Sequence, residues 1–242
     1  MGSRMPLSSL IYLAKRWDRE GSCPRYSLFT RVLKRRNVTA VTILLGFAVL
    51  SGGALAADPP RLMILGDSLT AGYGLPQDQA FPVRLEAALR AKGRTVAVIN
   101  AGVSGDTTAG GLARLDWALA ANPTHVLVEL GANDMLRAVD PGVTRKNLDA
   151  IVTKLKARGI NVMLAGMYAS PNLGKTYTEA FKGLYTELAA KHGVRLYPFF
   201  LDGVAAERGL NQDDGIHPNE KGVAVIVKRI LPSIEKFLGE KE

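Results

Sequence analysis

Short apolar runs alternate with longer amphipathic stretches along the chain from residue 61 onward. The apolar runs are rich in Val, Ile and Leu, and they predict strands at 61–65, 95–99, 124–130, 160–164 and 194–197. The stretches between them have apolar residues at helical spacing and predict helices over about 81–92, 107–121, 143–158, 176–191 and 222–238. Nearly continuous apolar strands are typical of a parallel sheet that is buried on both faces. The pattern therefore predicts one three-layer α/β domain with a five-stranded parallel sheet.

Residues 1–56 follow a different pattern, which is that of an export signal. A basic flank precedes an apolar run at 38–50, and the segment ends in small residues; the basic residues are Arg31, Lys34, Arg35 and Arg36, and the end is Ala54-Leu55-Ala56. These features predict a signal peptide over about 31–56, followed by a single domain over 57–242. An uncleaved membrane anchor is the alternative, because counting on to Ala57 nearly reaches the ~20 residues that span a bilayer.

The charge of the chain is concentrated in the same extension. The 242 residues carry a formal net charge of +9, of which residues 1–56 contribute +7. The nearly neutral remainder gives no basis for nucleic-acid binding, which needs clustered positive charge. The only cysteine, Cys23, also lies in the extension, so cysteine catalysis and Cys-based metal sites are excluded from residues 57–242. A domain of this length can fold in an oxidising compartment without disulfides.

Residues that could take part in catalysis or binding follow the first three predicted strands. Ser68 stands in G-D-S-L-T, Gly105 in N-A-G-V-S-G-D-T and Asn133 in G-A-N-D. Ligand sites in such folds form where loops leave the carboxyl ends of the strands. Ser68 can be a nucleophile or the cap of a helix. Gly105 can let a backbone N–H approach a substrate, and Asn133 can donate a neutral N–H to an oxyanion, although each also suits an ordinary turn.

The histidines separate these alternatives. His125 falls inside the third predicted strand and His192 at a helix end, where structural roles are common. His217 lies in the loop before the last helix, three residues after Asp214, and a carboxylate at that spacing can hold the imidazole in the tautomer of a general base. Taken alone, this spacing is also that of a helix-entry turn. Together with Ser68, Gly105 and Asn133 at other strand ends, it predicts acyl transfer by a serine nucleophile.

The four segments, in this order, resemble the signature blocks of the GDSL, or SGNH, hydrolase family. The resemblance covers about residues 61–238, and within the family the chain looks most like the small bacterial secreted arylesterases, acyl-CoA thioesterases and lysophospholipases. It implies a flavodoxin-like sheet with strand order 2-1-3-4-5. It also implies that Ser68 is the nucleophile, that Asp214 and His217 complete the triad, and that the Ser68 and Gly105 N–H groups form an oxyanion hole with the Asn133 side chain. The family spacing selects Asp214 over the adjacent Asp213.

The resemblance implies a serine hydrolase that cleaves carboxylic esters and thioesters through an acyl-enzyme. Aryl esters, lysophospholipids and acyl-CoA-like molecules are the expected substrates, with no metal ion or organic cofactor and with no nucleic-acid partner. Membrane contact is expected only through the signal segment or a lipid substrate, and the location is periplasmic or secreted. The alternatives are an esterase of O-acetylated glycans with the same triad and a non-catalytic periplasmic lipid-binding module. Ala132, where many relatives have glycine, leaves the substrate preference open.

Overall fold

The structure, a computed structural model, describes residues 58–239. The predictions for residues 1–57, the signal peptide and its cleavage site among them, lie outside the described residues. The described part contains a single five-stranded parallel sheet. Its strands are β1 (Arg61–Gly66), β2 (Ala97–Gly102), β3 (His125–Glu129), β4 (Asn161–Ala165) and β5 (Arg195–Tyr197).

Helices connect these strands. The α-helices of residues 58–239 are α1 (Ser68–Ala71), α2 (Phe81–Ala91), α3 (Thr108–Ala113), α4 (Leu115–Ala118), α5 (Ala132–Leu136), α6 (Pro141–Ala157), α7 (Lys175–His192) and α8 (Glu220–Gly239). Short 3-10 turns cover Gln77–Gln79, Leu119–Ala121, Pro171–Leu173 and Arg208–Leu210. None of the helices in this part of the chain has the length and apolar character needed to cross a membrane.

The strand order is β2-β1-β3-β4-β5, as the family resemblance implies. The chain leaves β1 toward one edge and returns to start β3 on the other side of β1, so the crossovers lie on opposite faces of the sheet. Accordingly α2 packs against α8, and α6 packs against α3 and α7. The direction of winding reverses between β1 and β3, and crevices at such a switch point are the usual ligand sites of doubly wound sheets.

The central strands form the core of the domain. Leu62, Met63, Ile64 and Leu65 of β1 are fully buried, and β3 and β4 are buried along most of their length. Burying each large aliphatic side chain contributes about 1.5–3 kcal/mol. β1 ends at Gly66, which pairs with Gly102 of β2 and Glu129 of β3. A Cβ on Gly66 would lie 2.1 Å from Thr70 Oγ1 and 2.5 Å from Glu129 Oε2, so only glycine lets these side chains meet there.

Two predicted elements differ from the structure. β2 begins at Ala97 and continues to Gly102, two to three residues later than predicted, because pairing with β1 sets its register. The predicted helix over 107–121 is broken into α3, α4 and a 3-10 turn. The break falls at Arg114, just after a helix that contains Gly110 and Gly111, and glycine is a poor helix former.

Candidate active site

Ser68 lies at the carboxyl end of β1, as the first residue of α1. Asp67 is the N-cap of that helix, since its carboxylate accepts the Leu69 N–H at 3.0 Å. The cap role that Ser68 itself could have filled is therefore taken by its neighbour. The Ser68 side chain is instead turned to the crevice, where its Oγ lies 2.9 Å from His217 Nε2. Only about 9% of the serine is exposed, so the hydroxyl is reached through the crevice.

His217 is held beside Ser68 by the loop that precedes α8. Its Nδ1 lies 2.6 Å from Asp214 Oδ2, and its carbonyl accepts the Gln212 N–H at 2.7 Å. The Gln212 side chain donates to the Tyr73 carbonyl, and the Tyr73 ring lies 4.6 Å from the His217 ring between centroids. Gln212 thus ties the His217 loop to the segment that follows Ser68.

Asp214 fixes both the loop and the tautomer of the ring. Its Oδ1 accepts the backbone N–H groups of Ile216 (2.9 Å) and His217 (3.0 Å), which leaves Oδ2 facing Nδ1. The His217 backbone N–H, its ring and the Ile216 N–H together lower the pKa of the Asp214 carboxyl to about 2. An ionised Asp214 only accepts hydrogen bonds, so Nδ1 donates and Nε2 is free to accept the Ser68 hydroxyl proton.

The loop after β2 brings Gly105 to the same crevice. Gly105 has φ +84°, which favours glycine, and its carbonyl accepts Arg137 Nη2 at 2.9 Å. The next residue, Asp106, accepts Arg114 Nε at 2.5 Å, and Arg114 Nη2 donates to the Gly66 carbonyl at 2.9 Å. Arg114 thereby fastens the Gly105 loop to the end of β1.

Asn133 lies in α5, directly after β3, and its neighbour anchors that helix. Asp134 is buried and accepts both the backbone N–H (2.7 Å) and the hydroxyl (2.6 Å) of Thr108 in α3. The Asn133 side chain faces the crevice, and its Nδ2 donates to Asp67 Oδ2 at 3.1 Å. The Asp134 contacts therefore hold Asn133 against the strand end that carries Ser68.

Two buried carboxyl groups lie behind Ser68. Burial raises the pKa of Asp67 to about 6, against the lowering effects of the Leu69 and Asn133 hydrogen bonds. Burial also raises the pKa of Glu129 well above its usual range, and the nearby Asp67 carboxylate raises it further. The Thr70 hydroxyl donates to Glu129 Oε2 at 2.6 Å, whereas Oε1 has no hydrogen-bond partner within the described residues.

These residues border a crevice of about 700 Å³ with mostly apolar walls. Ser68, Gly105, Ala132, Asn133 and His217 are among the residues that line it. Most of the others are apolar, among them Leu69, Met135, Leu136, Met167, Pro171, Leu201 and Ile216, together with the stacked rings of Tyr168 and Phe199. Such a pocket matches the size and composition of sites that bind small organic ligands.

The structure brings together every residue that the sequence singled out for chemistry, and it leaves the other histidines elsewhere. His125 bonds to Thr124 and Asn161 at the opposite end of the sheet, and His192 bonds to Asp149 at 2.6 Å. Asp213, the carboxylate that was not selected, lies next to the Asp214 that contacts the ring. Within residues 58–239, no group of three or more His, Cys, Asp or Glu residues is arranged to hold a metal ion.

Sequence reasoning missed the residues behind the site. Asp67, Asp134 and Arg114 each contact the Ser68, Gly105 or Asn133 segments through partners distant in sequence. Only Glu129 could have been noticed from sequence, since a charged residue inside an apolar strand is rarely buried without a specific partner. That rule predicts a polar partner for Glu129, which in the structure is Thr70.

Sequence and structure comparisons identify relatives of this chain. The sequence profile of the GDSL-like lipase/acylhydrolase family matches residues 64–225. An arylesterase of Vibrio mimicus is 40% identical over 79% of this chain and 96% of its own length. The thioesterase 1/protease 1/lysophospholipase L1 of Escherichia coli K12 is 43% identical over 69% of this chain and 78% of its own. The crystal structure of the psychrotrophic esterase EstA from Pseudoalteromonas sp., inhibited by monoethylphosphonate, superposes with a TM-score of 0.71 at 37% identity, covering 74% of this chain and 99% of EstA. The chain belongs to the GDSL-like lipase/acylhydrolase family.

Proposed function

We propose that this chain is a serine hydrolase of carboxylic esters that works through an acyl-enzyme on Ser68. The observation that carries the proposal is the continuous chain of hydrogen bonds from Ser68 Oγ through His217 to Asp214, at 2.9 Å and 2.6 Å, at the end of an apolar crevice. A nucleophile, a base and a group that orients the base are the parts that acyl transfer requires.

The catalytic cycle follows from this geometry. His217 Nε2 takes the hydroxyl proton while Ser68 Oγ bonds to the ester carbonyl carbon, and the ionised Asp214 stabilises the imidazolium that forms. The protonated ring then gives its proton to the departing alcohol or thiol as the bond to the carbonyl carbon breaks. Water repeats the attack on the acyl-enzyme with the same ring as base, which releases the acid and restores Ser68.

The tetrahedral intermediate carries a negative oxygen that needs donors. We assign this role to the Ser68 and Gly105 backbone N–H groups and to the Asn133 side chain, since all three residues line the crevice. The N-terminus of α1 lies behind Ser68, but a four-residue helix adds little dipole, so the three N–H donors carry the assignment.

The crevice walls point to the substrate class. Apolar side chains and two stacked rings suit an acyl or aryl group, and they offer few partners for the hydroxyls of a sugar. We therefore expect hydrolysis of p-nitrophenyl acetate and a higher kcat/KM for medium-chain esters than for acetate. Each buried methylene is worth about 0.8 kcal/mol, so kcat/KM should rise about fourfold per carbon until the crevice is filled.

Assays with p-nitrophenyl esters and acyl thioesters from C2 to C16 test this expectation. A profile confined to acetyl esters, with activity on an O-acetylated glycan, would favour the glycan esterase instead. Binding of lipid without turnover of any ester would favour the non-catalytic module. The thioester series measures whether both alcohol and thiol leaving groups are used, as the name of the Escherichia relative, a thioesterase and lysophospholipase, indicates for that protein.

Asn133→Ala should lower kcat by about 10²–10³-fold, the usual effect of losing one oxyanion donor, while KM changes little. The donor helps most when the carbonyl oxygen becomes charged, so its loss acts on the transition state. The thermal midpoint, measured on the same preparation, separates this from a structural role. An Asn133→Ala protein with reduced stability and an unchanged kcat would remove Asn133 from the mechanism.

We also propose that residues 57–242 form the mature enzyme and that the protein is exported, on the strength of the signal-like segment at 31–56. N-terminal sequencing of protein made through the native secretory route should find Ala57 or Asp58 first. Ala56→Arg is the control, since a large charged side chain at the A-x-A site should block cleavage. A membrane-bound product that keeps Met1 or Met5 would contradict the proposal.

A further inference from the structure

The two carboxylate oxygens of Asp67 have different hydrogen-bond partners, and these two bonds fix the orientation of the side chain. Oδ1 accepts the Leu69 N–H at 3.0 Å, which caps α1, and Oδ2 accepts Asn133 Nδ2 at 3.1 Å. The side chain is fully buried, so it cannot exchange these partners for water. The cap bond holds Oδ1 in place, and Oδ2 is therefore fixed toward the Asn133 amide.

The two ends of an Asn side chain have nearly the same shape, so the partner decides which end points where. An ionised carboxylate only accepts hydrogen bonds, and it selects the NH2 end of Asn133. One hydrogen of that NH2 group goes to Asp67, and the other remains for the crevice, which Asn133 lines. If the amide were turned over, its oxygen would take this position and would repel a developing oxyanion.

We infer that Asp67 is a positioning residue for ester hydrolysis, because its carboxylate keeps the NH2 end of Asn133, not its oxygen, turned toward the reacting carbonyl. This inference rests on the proposed function, in which the Asn133 N–H binds the oxyanion. It assigns to Asp67 a role beyond capping α1. In that role Asp67 acts on the reaction only through the orientation of the Asn133 side chain.

Asp67→Asn tests the inference with the smallest change of shape. With its oxygen still on the Leu69 N–H, the substituted side chain presents an NH2 group to the NH2 group of Asn133, and relief of that clash turns the Asn133 amide over. We expect kcat on p-nitrophenyl butyrate at pH 8 to fall by at least the ~10²-fold of a lost oxyanion donor, with KM little changed. The thermal midpoint should be kept, because the cap acceptor remains and a buried charge is removed.

A double-mutant cycle distinguishes this role from the alternatives. In an Asn133→Ala background there is no amide to orient, so Asp67→Asn should change kcat by less than about twofold, the usual error of additivity. Asp67 could instead act through its charge on the His217 imidazolium or through the packing of α1. Either effect would persist without Asn133.

Asp149→Asn is the control, since it makes the same carboxylate-to-amide exchange at a hydrogen-bonded aspartate of α6 that neither lines the crevice nor bonds to Asn133. It should keep kcat within about twofold of wild type. All kcat values are expressed per Ser68 titrated to completion with a fluorophosphonate, so that a lower folded yield cannot imitate a loss of turnover.

An unchanged kcat in Asp67→Asn, whatever its thermal midpoint, overturns the inference. So does a loss in the Asn133→Ala background of more than about twofold. The proposed function fails on other results, namely a wild-type protein without esterase activity or a Ser68→Ala protein that keeps it. The Asp67 variants therefore test the inference, whereas the wild type and Ser68→Ala test the proposed function.

Discussion

Ser68→Ala should abolish covalent labelling by a fluorophosphonate and lower kcat by about 10⁶-fold, as loss of the nucleophile does in other serine hydrolases. The reason is that no other group at the end of the crevice has a hydroxyl 2.9 Å from the free nitrogen of an oriented histidine, within the described residues. Residual hydrolysis would come from the oxyanion donors alone. Labelling is followed by gel fluorescence and by mass spectrometry of the modified peptide.

Two other serines of the crevice serve as controls for this experiment. Ser104 and Ser170 also line it, so a probe that enters the crevice meets three serine hydroxyls. Ser104→Ala should keep full labelling and nearly full turnover, and the modified peptide should contain Ser68. Label that persists in Ser68→Ala and maps to Ser104 or Ser170 would show that the nucleophile is assigned wrongly.

The sheet could be predicted from sequence because its strands are short apolar runs. Runs of four to seven residues are long enough for a buried strand and too short for a typical helix. Four of the five strands begin within one residue of the prediction, and the order 2-1-3-4-5 agrees with the family resemblance. β2 is the exception. Its run at 95–99 is mostly apolar, but the ladder with β1 starts at Ala97 and carries polar Asn100 into the strand. Pairing across the chain overrides the local pattern there.

The short helices of the site could not be predicted in this way. α1 has four residues and α5 has five, too few to show a helical period. They exist because Asp67 caps the first and because Asp134 fastens the second to Thr108, and both contacts depend on the folded chain. Gly-Asp-Ser allowed a helix cap at Ser68 as one interpretation, and Ala-Asn-Asp indicated only a turn.

The residues behind the site were beyond sequence reasoning for the same reason. Asn133 lies 66 positions from Asp67, and Glu129 lies 59 positions from Thr70. Each pair meets only because β1 and β3 are neighbours with Gly66 opposite Glu129. Sequence motifs therefore predicted the groups proposed for the reaction, whereas the contacts that hold them required the sheet. The roles of those groups stay predictions until the variants are measured.

His217→Ala and Asp214→Asn should both reduce turnover, but by different amounts and for different reasons. Without His217 nothing accepts the Ser68 proton, so kcat should fall by about 10⁶-fold. Asp214→Asn should cost about 10⁴-fold, because the amide keeps an oxygen for the Ile216 and His217 N–H groups while its NH2 group faces Nδ1. Nδ1 must then accept, so Nε2 carries the proton and cannot take another from Ser68.

The pH dependence of turnover gives a further test of the carboxyl groups near the site. Asp214 has a pKa of about 2, below its unfolded value of 3.8, so it is ionised throughout an assay between pH 5 and 8. Its contribution to stability is present above the unfolded pKa and is lost as the pH falls toward 2. Acidification within the assay range therefore leaves the Asp214 carboxylate ionised, whereas Asp67, whose pKa burial raises to about 6, takes up a proton. We expect wild-type kcat/KM to fall through that range, and a flat profile from pH 5 to 8 would contradict a role for the ionised Asp67.

Asp213→Asn is the matched control for Asp214→Asn, since it makes the same exchange one residue earlier and spares the carboxylate beside Nδ1. It should keep nearly full kcat/KM and an unchanged thermal midpoint. Asp214→Ala extends the comparison, because it also removes the acceptor of two backbone N–H groups and should lower the midpoint more than Asp214→Asn does. If Asp213→Asn proved the more damaging exchange, the orienting carboxylate would be Asp213, and the loop would have to close on His217 in another conformation during turnover.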